Sequence, residues 1–148
     1  MYIKEIISLI EDYAPLKFQA SFDNSGLLCG NPEQELTSIL LCIDVTEEVI
    51  KEAIDKGHNL IISHHPLIFS GLKHITPATY VERCVIDAIK HDITIYAAHT
   101  NMDVVANGVS GRMADKLDLY HRQILQPEGD PMDGNGFGII GELQQPVE

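Results

Sequence analysis

Two short apolar segments of the chain each lead into side chains that can bind a metal ion. His64 and His65 follow the first segment, and His99 and Asp103 follow the second. Both segments have the composition of buried β-strands, and the strands of an α/β fold deliver ligand-binding side chains to one edge of the sheet. Imidazole and carboxylate groups gathered at one point suit a divalent metal ion. The two segments therefore predict a metal site if the fold brings their ends together.

The sequence allows more than one local geometry for the adjacent histidines, His64 and His65. Neighbouring side chains on a strand point to opposite faces, so both imidazoles reach one site only if the chain turns there. Pro66 favours an extended or turn conformation at His65. Alternatively, each histidine binds a different metal ion of a pair, or both are solvated residues at a strand end, which is the usual role of an isolated pair. The second polar segment, 99–103, favours the metal interpretation.

Other polar residues near the strand ends allow more than one role. Asp103 can bind or bridge metal ions, and His99 can be a ligand, a general base or a support for a ligand. Asp44 is interpreted as a cap for the helix that follows it, with a role at the metal site as the alternative. Asp23, in a turn before Gly26, could reach the same sheet edge, although Asp-Asn turns are common. The remaining histidines are interpreted as surface residues: His58, His74, His91 and His121.

Strand and helix patterns alternate along the chain. Apolar residues at helical spacing predict helices over 3–13, 46–57 and 108–117, and another that begins with Thr76 as cap and Pro77 as first residue. Apolar runs predict a short strand ending at Gly30 and further strands over 38–44, 59–63, 92–98 and 138–143. The segment 126–138 is predicted to be an irregular loop. The alternation predicts a single α/β domain over 1–148, with a mixed, largely parallel central sheet and helices on both faces.

Composition excludes several classes of function. The chain has 148 residues and a formal net charge of -12, so direct binding of nucleic acid is not expected. No apolar stretch reaches the roughly 20 residues that a membrane helix needs. The N-terminus lacks the continuous apolar stretch of a signal peptide, so the expected location is the cytoplasm. The cysteines are expected to be buried free thiols: Cys29, Cys42 and Cys84.

Four stretches closely resemble the GTP cyclohydrolase 1 type 2 homologue family, also called the Nif-three-like family. They are residues 22–28, residues 57–69, residues 97–103 and the glycine-rich segment up to Gly141. The second and third stretches are specific to this family. Phe22 stands where the family usually has Trp, which is a tolerable exchange between aromatic residues. The resemblance extends over essentially the whole chain.

The resemblance implies a dinuclear metal site in which His64, His65 and Asp103 are ligands. It further implies a homo-oligomer, often a ring built from dimers. The family pattern also has a second half, which supplies one more His and, four residues later, a Glu. Nothing after Asp103 matches that pair, because His121 is followed four positions later by Leu125. The chain therefore resembles the N-terminal half of the family's protein.

The expected chemistry follows from two divalent ions in a complete site. Zinc, iron, manganese and nickel all suit His and Asp ligands, so the metal stays open. A metal pair would support hydrolysis of a small, nucleotide-like substrate, with His99 as the catalytic group that moves a proton. The alternative is a metal-binding, protein-interaction or regulatory module without turnover. A metallophosphoesterase is less favoured, because the Asn-His-acid segment of that class is not found.

Overall fold

The computed structural model describes residues 1–144. The helices are α1 (Ile3–Tyr13), α2 (Glu47–Lys56), α3 (Tyr80–Lys90), α4 (Thr100–Val104) and α5 (Val109–Lys116). The strands are β1 (Gly26–Cys29), β2 (Ile39–Cys42), β3 (Leu60–Ser63), β4 (Thr94–Ala97), β5 (Tyr120–Pro127) and β6 (Gly136–Glu142). None of the helices within residues 1–144 is long and apolar enough to cross a membrane. The chain end, 145–148, for which no closing helix is predicted, lies outside the described residues.

The central sheet has four strands in the order β1-β4-β3-β2. Strands β2, β3 and β4 run parallel, with Leu40 opposite Ile61 and Ile61 opposite Ile95, while β1 runs antiparallel to β4. The three parallel strands are shorter than the predicted runs, at four residues each. The predicted mixed, largely parallel sheet is confirmed.

Helices cover both faces of this sheet, as the sequence predicts. On one face, α2 and α3 pack against the strands through a buried cluster that includes Ile50, Val85 and Ile61. On the other face, Ile3 of α1 packs against Leu60 and Tyr96. Burial on both faces explains why the central strands read as continuous apolar runs rather than as alternating ones.

Helix α3 begins three residues later than the sequence analysis predicts. The structure places Thr79, not Thr76, at the N-cap. The Thr79 hydroxyl accepts from the backbone N–H of Glu82 (3.3 Å), and the Glu82 carboxylate accepts from the backbone N–H of Thr79 (3.2 Å). This reciprocal capping box satisfies two backbone donors that a cap at Thr76 would leave open, so it determines where the helix starts.

The last part of the described chain is a β-hairpin: β6 confirms the strand predicted over 138–143, β5 is a strand that the sequence analysis did not predict, and the predicted irregular loop is shorter, since it connects the two strands over 128–135. Strands β5 and β6 pair antiparallel, with Gln126 opposite Phe137 and Pro127 opposite Gly136. Seven of the eight residues of β5 are exposed, so the strand shows no alternation of buried and exposed positions. Sequence periodicity therefore had no signal with which to find it.

Candidate metal centre

Parallel strands bring the two polar segments to one edge of the sheet. Ser63, the last residue of β3, lies opposite Ala97, the last residue of β4. The backbone N–H of Ala98 then donates to the carbonyl oxygen of Ser63 (2.9 Å). The two segments that follow β3 and β4 therefore leave the sheet side by side. His64 and His99 start from neighbouring points for this reason, although 35 positions separate them in the sequence.

Three imidazoles converge at this edge, and we call His64, His65 and His99 the histidine cluster. The ring centroids lie 5.0 Å apart for His64 and His65, 5.2 Å for His64 and His99, and 5.5 Å for His65 and His99. One ring nitrogen of each histidine lies within 4.8 Å of the other two. The chain turns directly after β3, and this turn allows adjacent histidines to face one point.

Asp103 borders the histidine cluster. Its Oδ1 lies 3.8 Å from Nε2 of His64. Asp103 reaches this position because α4 begins directly after His99, so a residue four positions later lies one helical turn further along. The structure thus brings together all four residues that the sequence nominates. We call these four residues the candidate centre; that they bind metal stays a prediction.

Each histidine of the cluster has one ring nitrogen occupied. In all three rings, Nδ1 lies at hydrogen-bond distance from an oxygen that can only accept, so this contact favours the tautomer with the proton on Nδ1. The acceptors are the carbonyl oxygen of Ala98 for His64 (3.0 Å), the carboxylate of Asp44 for His65 (2.8 Å) and the carboxylate of Asp23 for His99 (2.8 Å). The nitrogen that remains for a ligand is Nε2 in each ring.

This donor set fits a divalent cation. Histidines that bind metal almost always donate their other ring N–H to a carboxylate or a backbone carbonyl, which sets the tautomer and the ring orientation. All three rings of the cluster meet this condition, and Asp103 adds a carboxylate oxygen beside them. Within residues 1–144, no other group of three or more His, Cys, Asp or Glu side chains is arranged to hold an ion.

Asp44 corrects the interpretation that it caps helix α2. The cap is Thr46, whose hydroxyl accepts from the backbone N–H of Val49 (3.3 Å). Asp44 instead lies beyond the end of β2 and accepts the hydrogen bond from His65. The alternative kept open in the sequence analysis, a role in supporting the site, is the one that the structure favours.

Asp23 is the polar residue of the site to which sequence reasoning gave too little weight. Its side chain is 0% exposed, and its carboxylate accepts from His99, from the hydroxyl of Ser25 (2.6 Å) and from the backbone N–H of Asn24 (2.7 Å). The hydroxyl of Thr100 also donates to it. The signals available in the sequence were the turn before Gly26 and the place of Asp23 in the stretch 22–28 that resembles the family.

The pKa of Asp23 is depressed well below the usual range of a carboxyl group. Burial alone would raise the pKa, because it disfavours the charged form. Hydrogen bonds to the carboxylate from His99, Ser25, Thr100 and the backbone of Asn24 together outweigh burial. Asp23 therefore stays ionised at neutral pH, at the buried side of the candidate centre.

The histidines outside the cluster lie elsewhere. His58 is hydrogen-bonded to Ser38 through Nδ1 (2.6 Å), and His91 donates to the carbonyl of Asp87 (2.8 Å). His121 lies on the hairpin and is 75% exposed. None of these three belongs to the group of possible ligands found within the described residues. His58 is half-buried rather than exposed, because it packs at the N-terminal edge of the sheet.

Fold and site together define an α/β protein whose sheet edge carries a histidine cluster suited to a divalent cation. The model of the Duf34/NIF3 (NGG1p interacting factor 3) family matches residues 1–148. The chain belongs to this family, which confirms the resemblance found in the sequence analysis.

Relatives in the family are named GTP cyclohydrolase 1 type 2 homologs. The chain is 42% identical to the Clostridium perfringens protein over 144 residues, covering 97% of this chain and 54% of that protein. It is 40% identical to the Bacillus subtilis protein over 145 residues, covering 97% of this chain and 39% of that protein. The chain thus spans about half, or less, of the length of these relatives.

Solved structures share the fold. A Bacillus cereus protein related to NIF3 superposes with a TM-score of 0.82 at 42% identity, covering 87% of this chain and 36% of that one. Reduced HcgD from Methanocaldococcus jannaschii superposes with a TM-score of 0.78 at 31% identity, covering 84% of this chain and 50% of that one. The α/β architecture described above is therefore the fold of this family.

Proposed function

We propose that the candidate centre binds divalent metal, with His64, His65 and Asp103 as ligands and His99 as the group that moves protons. The observation that carries the proposal is the common arrangement of three imidazoles: each Nδ1 is engaged by an acceptor, and one ring nitrogen of each histidine lies within 4.8 Å of the other two. A single histidine such as His91 can also donate from Nδ1 to a carbonyl, but convergence of three such rings is typical of metal-binding histidines.

The proposed reaction is the hydrolysis of a small, nucleotide-like substrate. A divalent cation would supply Lewis acidity, which polarises an oxygen of the substrate. The residues of the chain would then orient the substrate at the sheet edge, and Nε2 of His99 would accept a proton and return it. The nucleotide character of the substrate is proposed from the name of the relatives, GTP cyclohydrolase 1 type 2 homologs.

The complete site is proposed to hold two metal ions. Three protein ligands are too few for two cations, since even one tetrahedral site uses four. The family pattern supplies a further His and Glu in its second half, and this chain spans 54% of the Clostridium perfringens relative. We propose that such groups, from the second half of a longer protein or from another copy in a ring built from dimers, complete the coordination. Sedimentation analysis of the protein would test the assembly.

Metal binding is tested by elemental analysis of the purified protein and by titration with Zn²⁺. His64→Ala and Asp103→Ala should each lower Zn²⁺ affinity by at least about tenfold, because each removes a ligand. The fold should persist, since both side chains lie at the surface end of the sheet. His91→Ala is the matched control, because His91 also donates from Nδ1 to a backbone carbonyl but lies outside the cluster. Equal affinity in all four proteins would refute the assignment.

A metal-binding module without turnover is the second candidate. The observation that favours it is that the histidine cluster and Asp103 already form a donor set for a cation, whatever substrate is or is not bound. GTP hydrolysis measured with and without added Zn²⁺ or Mn²⁺ separates the two candidates. Metal-dependent turnover that is lost in His99→Gln, with Zn²⁺ still bound, supports the hydrolase. Tight metal binding without turnover supports the module.

A further inference from the structure

The His99 ring is held by a single carboxylate that lies deep in the protein. Asp23 belongs to the loop before β1, 76 positions away in the sequence, and its Oδ1 accepts from Nδ1 of His99. The side chain of Asp23 is 0% exposed and that of His99 is 19% exposed. Water therefore competes poorly for this hydrogen bond, and its strength and direction are set by the protein.

The same carboxylate is tied to the start of α4 through its other oxygen. Oδ2 of Asp23 accepts from the backbone N–H of Thr100 (3.2 Å), from the Thr100 hydroxyl and from the Ser25 hydroxyl (2.6 Å). The Thr100 hydroxyl has no freedom to turn round, because its oxygen already accepts from the backbone N–H of Ala20 (2.9 Å). Asp23 is thus surrounded by donors on both oxygens, and only an ionised carboxylate satisfies them all.

We propose that Asp23 is a positioning residue that fixes His99 in the tautomer with its proton on Nδ1 and directs the lone pair of Nε2 toward His64 and His65. The role of that lone pair rests on the proposed function; the tautomer itself does not. A purely structural anchor for the loop could use any set of polar contacts. The hydrogen bond to Nδ1 adds a selection between two ring tautomers that neutral imidazole otherwise exchanges freely.

The substitution Asp23→Asn should move the proton of His99 from Nδ1 to Nε2, because an amide has a donor group as well as an acceptor. If the amide oxygen faced His99, the amide NH₂ would face the buried N–H and the donating hydroxyl of Thr100, which is 7% exposed. That orientation leaves a buried donor unsatisfied and costs free energy. In the opposite orientation the oxygen serves Thr100 and Ser25, and the NH₂ donates to Nδ1 of His99. The proton of His99 must then lie on Nε2. The donor that then loses its acceptor is the backbone N–H of Asn24, an exposed residue at which water can replace the lost oxygen.

The test is ¹⁵N NMR of the imidazole rings in metal-free protein at roughly pH 8.5, where an ordinary imidazole is neutral. We expect His99 of the wild-type chain to carry its proton on Nδ1, and His99 of Asp23→Asn to carry it on Nε2. Asp44→Asn is the matched control, because it makes the same change beside His65 and should leave the His99 signals unchanged. Ser25→Ala removes one donor to Asp23 but keeps the carboxylate, and should also preserve the tautomer.

Two results would overturn the proposal. One is a wild-type His99 with its proton on Nε2, which needs no variant to be folded. The other is a folded Asp23→Asn protein, as judged by circular dichroism, in which His99 keeps its proton on Nδ1. Because all measurements use metal-free protein, failure of the wild-type chain to bind Zn²⁺ would refute the proposed function and leave the tautomer result standing.

Discussion

The candidate centre is flanked by two carboxylate–imidazole pairs that share one chemistry and differ in burial. On the inner side, Asp23 and His99 have side chains that are 0% and 19% exposed. On the outer side, Asp44 and His65 have side chains that are 64% and 49% exposed. Both pairs have the same separation of 2.8 Å between Nδ1 and a carboxylate oxygen. Equal geometry with unequal burial means that the inner pair supports the fold as well as the ring, whereas the outer pair supports only the ring.

The largest expected difference is in stability. Asp23→Ala should lower the free energy of unfolding by about 3 kcal/mol, because it leaves several donors without an acceptor at a buried position. Asp44→Ala should change it by less than about 0.5 kcal/mol, since an exposed pair contributes little. Urea unfolding of both variants and the wild-type chain measures the two values. Equal losses would show that burial does not distinguish the pairs.

The second-largest expected effect is that of acid on the stability contributed by the inner pair. The pKa of Asp23 is lower in the folded protein than the ordinary carboxyl value, so its contribution to stability is complete above about pH 4 and is lost as the pH falls through the folded pKa. Asp23→Asn should therefore show a flatter fall in stability below about pH 4 than the wild-type chain. Unfolding curves recorded across this range give the slopes, and parallel slopes would contradict the assigned pKa shift.

The outer pair should matter for metal rather than for the fold. Asp44→Asn should weaken Zn²⁺ binding by about tenfold, because loss of a hydrogen bond that orients a ligand ring typically has this effect. The unfolding midpoint of the metal-free variant should match that of the wild-type chain. Calorimetric titration and urea unfolding of the same preparation test both halves. An Asp44→Asn protein that is destabilised but binds Zn²⁺ with normal affinity would contradict this prediction.

The smallest expected effect concerns Cys42, which ends the strand before Asp44. Burial, and secondarily the charge of Asp44, raises the pKa of the Cys42 thiol to about 11. Asp44→Asn should therefore speed the alkylation of Cys42 by iodoacetamide no more than about twofold, because burial remains. Cys84 is the internal control, since burial raises its pKa to about 11 as well, without a contribution from Asp44. Mass spectrometry of the labelled peptides gives both rates.

Sequence reasoning found the parts of the site that follow from local pattern. The runs before His64 and His99 read as buried strands because both faces of β3 and β4 are covered, and parallel pairing then places their ends together. The three cysteines are free, as predicted, although Cys29 and Cys42 are only half-buried. Of the hairpin, β6 was predicted as a strand over 138–143, whereas β5 was not, because nearly all of its residues are exposed and it lacks periodicity.

By itself, then, the amino-acid order determined the α/β class, the family and the four residues of the candidate centre, since each is encoded in short apolar runs and the polar residues that follow them. Only the tertiary structure decided that Asp23 and Asp44 orient two of the rings. These carboxylates lie 76 and 21 positions from their histidines, and such pairings arise from the crossing of loops beyond the strands. No local spacing encodes a hydrogen bond between loops, because the folded sheet alone sets the distance between them.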